Sequence, residues 1–99
     1  MYIYNTTFAA DPVVEDEMIE WLRGEFIPLS TADGAYFTDA ELMAVLPRGE
    51  QNSYALHMRA ESLGDIELWY ADHGSRLFDH AQRRWGGRVV FFTTTLQVL

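Results

Sequence analysis

The sequence contains no cysteine, no lysine and only three prolines. Without cysteine there is no disulfide framework, thiol nucleophile, iron–sulfur ligand or thiolate zinc site. Without lysine there is no Schiff-base nucleophile, pyridoxal phosphate anchor or phosphate-loop lysine. All seven basic residues are arginine, set against fifteen carboxylates, for a net charge of −8. That balance repels phosphate backbones, so no nucleic-acid partner is expected. The one candidate basic stripe, Arg76, Arg83, Arg84 and Arg88, falls near the end of a predicted helix, where cations complement the helix dipole. Long apolar runs are also missing. No stretch approaches the roughly 18 residues of a transmembrane helix, and no basic segment followed by an apolar one marks a signal peptide. The expectation is a cytoplasmic protein with no membrane partner. Nucleophile elbows, dinucleotide fingerprints and EF-hand patterns do not occur in it.

What is present suits one core. Ninety-nine residues at 48% hydrophobic and 14% aromatic content are enough for a single domain over 1–99. Tyr2 to Ala9 reads as a strand, though Asn5, Thr6 and Thr7 interrupt its apolar residues. A helix follows, with Asp11 as N-cap, Pro12 at the first helical position and Val14, Met18, Trp21 and Leu22 as its apolar stripe. Pro28 is expected to disturb or end it. Asp39 to Leu46 and Ser53 to Ala60 read as strands joined by the turn "PRGEQN", a hairpin. Ser62, with Asp65 three residues on, opens a second helix that runs to about Arg84, before the Gly86–Gly87 pair. Gly74 is a weak point in it, costing about 1 kcal/mol relative to alanine and making a kink plausible. Asp72 with Arg76 and Asp79 with Arg83 are spaced to pair along the helix. Arg88 to Leu99 closes the chain as a strand.

The order β-α-β-β-α-β predicts an α+β, ferredoxin-like fold, with two helices on one face of a four-stranded antiparallel sheet. Two helices leave the other face free for solvent or a partner. Alternation groups Tyr54, Leu56 and Met58 with Val90, Phe92, Leu96 and Val98 as the apolar parity. The mixed parity holds Ser53, Ala55, His57 and Arg59 with Phe91, Thr93, Thr95 and Gln97. In the first strand, either parity could face the helices. On this reading the uncovered face is half apolar, carries Phe91 and packs against a second copy, giving a homodimer.

The pieces "YNTTF", the Trp21 helix followed by "IP", "GAYFTDAELMAVL", "SLGDIELWYADHGSRL" and "WGGRVVFFTTTLQV" resemble a family of short bacterial proteins catalogued as a domain of unknown function. The resemblance spans nearly the whole chain. It departs at Gly74, where alanine is usual after the histidine, and at "WGG", where phenylalanine–glycine is usual. The resemblance implies a fold related to the dimeric α/β-barrel superfamily, whose members include monooxygenases, haem-degrading enzymes and ligand-sensing domains. The fold alone does not choose among these.

Candidate chemistry is sparse. His73 and His80 are seven apart, about 10.5 Å along a helix axis, too far to share one metal. His73 reads as half-buried and hydrogen-bonded, with ligand contact or a base role as its functional alternative, and His80 as a solvated or capping residue. Glu15, Asp16, Glu17 and Glu20 read as a solvated face, and Trp21, Trp69 and Trp85 as core. There remain His57, Arg59 and Asn5, with Thr93 and Thr95, on the sheet face that the helices leave bare. They line either a polar dimer interface or the floor of a small-ligand cavity. A bare Arg59 with few partners in its own chain would suit a small anionic ligand, bound through two parallel hydrogen bonds, or an acidic residue across the interface. The expected function is a non-catalytic homodimeric module that binds a small molecule or a protein, with no cofactor and no metal. The alternative is a small cofactor-light enzyme resembling the antibiotic-biosynthesis-type monooxygenases, with His57 or His73 as base.

Overall fold

The computed structural model describes residues 1–48 and 52–99; residues 49–51 of the expected "PRGEQN" turn lie outside the described residues. Four strands, β1 (Tyr2–Ala10), β2 (Asp39–Ala44), β3 (Asn52–Ala60) and β4 (Val89–Gln97), form one sheet in the order β2-β3-β1-β4. Every neighbouring pair is antiparallel. Helix α1 covers residues 15–31 and helix α2 residues 63–85, and both lie on one face. This is the ferredoxin-like arrangement that the element order predicts.

Both helices pass through a wide turn. Helix α1 is α-helical over Glu15–Trp21 and Ile27–Thr31, with a π-helical turn, Leu22–Phe26, between them. Helix α2 is α-helical over Leu63–Trp69 and Ser75–Trp85, with a π-helical turn at Tyr70–Gly74. Pro28 therefore does not end α1. The wide turn directly before it accommodates a ring that would otherwise meet the carbonyl four residues back. Asp11 caps the turn leading into α1, accepting from the Val13 amide at 2.9 Å, while the helix itself starts at Glu15. Ser62 caps α2 as predicted, accepting from the Asp65 amide at 3.1 Å. Gly86 ends α2 with φ +55°, a conformation that favours glycine.

Trp69 is the hub of the core. It is fully buried and meets Tyr4, Phe26, Phe37 and Phe78 with ring centroids 5.1–6.2 Å apart. Its indole N–H donates to Ser30 Oγ at 2.9 Å, and that hydroxyl donates to the Phe26 carbonyl at 2.7 Å, so one buried chain of hydrogen bonds ties the two helices together. The indole also explains Gly74. A Cβ at that position would lie 2.7–3.0 Å from three atoms of the Trp69 ring. The glycine is space for tryptophan, and it closes the π turn with helical φ −59° and ψ −47°, so the helix does not break there.

Candidate functional site

Sheet register decides which residues share a face. Tyr4, Thr6, Phe8 and Ala10 of β1 are buried under the helices, beside Tyr54, Leu56, Met58 and Ala60 of β3. On β4 the same face carries Val89, Phe91, Thr93 and Thr95, which stand opposite Ala10, Phe8, Thr6 and Tyr4. This reverses the expectation for β4. Phe91 faces inward and stacks on Phe78 at 4.8 Å, and Thr93 and Thr95 leave the candidate set. The helices cover only the start of β4 on this side. Between α2 and this part of the sheet a cavity of about 230 Å³ opens, lined by Tyr4, Ser75, Asp79, Thr93 and others.

The bare face is built of rows running across the strands. Asp39, Arg59, Ile3 and Leu96 form one row; Glu41, His57, Asn5 and Thr94 the next; Met43, Ala55, Thr7 and Phe92 the third. The structure therefore brings His57 and Asn5 side by side, with Arg59 one row away. The β4 edge of the face is apolar and open, with Val90 51%, Phe92 62% and Leu96 43% exposed. Arg59 does have a partner in its own chain. Its Nε lies 3.6 Å from Asp39 on the neighbouring strand, although both side chains stay at least half exposed. Asn5 donates from Nδ2 to Thr7 Oγ1 at 3.4 Å, and its Oδ1 is buried with no partner.

His73 lies elsewhere, on α2 across the sheet from this face. It is half-buried, and its ring stands 5.5 Å from that of Tyr36, edge to face. The expected Asp72–Arg76 ion pair is replaced. Tyr36 donates to the Asp72 carboxylate at 2.6 Å, which raises the pKa of the phenol, and Arg76 donates to the Asp72 backbone carbonyl instead. Asp79 and Arg83 do pair, at 2.6 Å.

Two carboxylates of the expected solvated face are engaged. Glu15 accepts from Tyr54, from Asn52 at 2.9 Å and from Arg48 at 2.6 Å, and these donors hold its carboxyl below its ordinary pKa, Tyr54 most strongly. Burial, and then the Glu15 carboxylate, push the Tyr54 phenol up. Glu17 accepts from Trp85 Nε1 at 2.8 Å and Arg84 Nε at 2.7 Å, and these donors hold its carboxyl low as well. One signal was available for the first cluster: Tyr54 shares the parity of Leu56 and Met58, so its hydroxyl needed a partner at the sheet end. The spacing of Glu15, Arg48 and Tyr54 gives no such sign, because their contacts cross from α1 to the hairpin.

Among the described residues no group of three or more histidines and carboxylates is placed to hold a metal. Nor is any helix among them long and apolar enough to cross a membrane. A family model described as a domain of unknown function, DUF4286, matches residues 1–99. The chain belongs to that family. Among curated proteins, none matches it. Among solved structures it is similar to a dimeric ferredoxin-like protein from an uncultured marine organism, at 12% identity and a TM-score of 0.62, over 99% of this chain and 96% of the other. At that identity the likeness concerns the fold.

Proposed function

We propose that this protein is a non-catalytic homodimeric module that packs through the bare sheet face and binds a small molecule there. The observation that carries the reading is the open apolar edge of that face, Val90, Phe92 and Leu96, beside the polar row of Glu41, His57 and Asn5. An exposed apolar strip on a sheet favours burial by a partner. Charge supports a second copy as that partner. Of the fifteen acidic residues, the paired strand positions of this face carry only Asp39 and Glu41, and Arg59 offsets one of them. The face is thus a place where two strongly acidic chains can meet with little repulsion. The similar solved protein is described as dimeric, which agrees with this assembly.

His57, Asn5 and Arg59 would then lie between two sheets. Arg59 offers a donor fork that Asp39 holds only at 3.6 Å. That fork suits a small ligand with a carboxylate or phosphate group. Sedimentation equilibrium at micromolar concentration is the first test: the native chain should run as a dimer and Phe92→Glu as a monomer. Native mass spectrometry should find a retained anion on the dimer. The variant Arg59→Met should keep the dimer and lose the thermal stabilisation that this anion gives.

A further inference from the structure

On the opposite side of the molecule, the two helices border a concave surface that carries a row of basic side chains. His73, Arg76 and His80 succeed one another at three- and four-residue spacing along one flank of α2, and Arg83 and Arg84 continue the line. One hollow of about 380 Å³ lies between this flank and Trp21, Glu25 and Leu29 of α1. A second, of about 470 Å³, lies beside it among the arginines, and Arg76 and His80 line both. Trp21 lies flat on His80, with ring centroids 5.3 Å apart. Leu77, nearly buried, also lines the first hollow.

The nearby carboxylates already have donors. Glu25 accepts from Trp21 Nε1 at 3.1 Å, Asp72 from Tyr36, Asp79 from Arg83 and Glu17 from Arg84. Arg76 is different: among the described residues no carboxylate lies within 4 Å of it, and a backbone carbonyl is its partner. A guanidinium and two imidazoles without acidic partners therefore stand beside an apolar wall of Trp21, Leu29 and Leu77, in a chain of net charge −8.

We infer that this interhelical groove binds a small organic anion, with its carboxylate or phosphate group on Arg76 and His80 and its apolar body against Trp21, Leu29 and Leu77. Arginine supplies the planar fork that such a head group takes up, and His73 borders the same hollow. The groove and the dimer face lie on opposite sides of the sheet, so the two readings stand or fall separately.

The test uses the full chain, isotopically labelled, titrated with 1-naphthoate and with uncharged 1-naphthalenemethanol at low ionic strength and followed by amide and indole NMR shifts. Naphthoate should shift the Trp21 indole signal and amides of residues 73–80, and should bind at least about tenfold tighter than the alcohol. In the double variant Arg76→Gln/His80→Gln the advantage of the anion should vanish while the spectrum keeps its native dispersion. Equal binding of the two probes to the native chain would overturn the proposal without recourse to any variant. So would an unchanged naphthoate affinity in the double variant, or shifts centred on Phe92 and Leu96. A change of sedimentation behaviour in the double variant would make a second copy the occupant, and would overturn it too.

Discussion

The two faces of the sheet are made by the same strands, yet they follow different rules. Under the helices the residues are large, apolar and fully enclosed, with Phe8, Leu56 and Met58 around Trp69, and among the described residues Thr6 is the one polar strand residue buried there. The other face pairs small and polar residues at its centre with an apolar edge left open along β4. One face is enclosed by its own chain, and the other keeps its apolar edge exposed. The lesson is that alternation marks two sides of a strand without saying which is inside, because large apolar residues such as Phe91 and Phe92 stand on both sides of β4.

Two phenylalanines on β1 and β4 give the largest contrast. Phe8→Ala should cost about 3–5 kcal/mol in urea unfolding, since it empties a fully enclosed site. Phe92→Ala should change the stability of the dissociated chain by less than about 0.5 kcal/mol and weaken the dimer instead. Comparable losses at both sites, measured at concentrations that keep the chain monomeric, would erase the distinction between the faces.

Gly74→Ala sharpens the account of the covered side. Helix propensity alone predicts a gain of about 1 kcal/mol. Contact with the Trp69 ring, which is walled in and hydrogen-bonded to Ser30, predicts a net loss of about 1–3 kcal/mol. Thermal melts decide the sign. Thr6→Val tests an unpartnered hydroxyl on that side. The Thr6 hydroxyl is buried with no partner, so valine of nearly the same shape should stabilise the chain by about 1 kcal/mol.

The smallest effect concerns pH. Glu15 and Glu17 have carboxyl groups held below their ordinary value of 4.5, so their contribution is complete above that pH and is lost as pH falls through the lowered value in the folded state. Glu15→Gln should therefore flatten part of the fall in stability below about pH 4.5 while leaving the open face and its assembly unchanged. Melting curves between pH 3 and 7 check this.

Much of the fold could be read from local patterns. The Ser62 cap, the hairpin and the two central strands follow from periods and stop signals that act within a few residues. β4 was harder for a physical reason. It is an edge strand covered by helix only at its start, so Thr93 and Thr95 lie on the inner side without being enclosed, while Phe92 and Leu96 lie outside. The π turns were equally hidden, since Pro28 and Gly74 read as breaks, and the reason for Gly74 lies in the Trp69 ring that packs against it. At the candidate site strand alternation groups His57 with Arg59, while the place of Asn5 beside His57 depends on the register between β1 and β3, which alternation leaves open. His73 belongs to a separate surface, and the Glu15 cluster depends on contacts between distant elements.

The strand order also has a consequence for synthesis. β1 emerges from the ribosome first, but it is a central strand, and its two neighbours are β3 and β4. At elongation rates of about 5–20 residues per second, Tyr2–Ala10 waits roughly 4–17 s for the segment that completes its second edge. Through that interval its aromatic residues have no finished core to enter. The polar trio Asn5, Thr6 and Thr7 sits in the middle of this waiting segment, where it lowers the apolar density of a strand with both edges still unpaired.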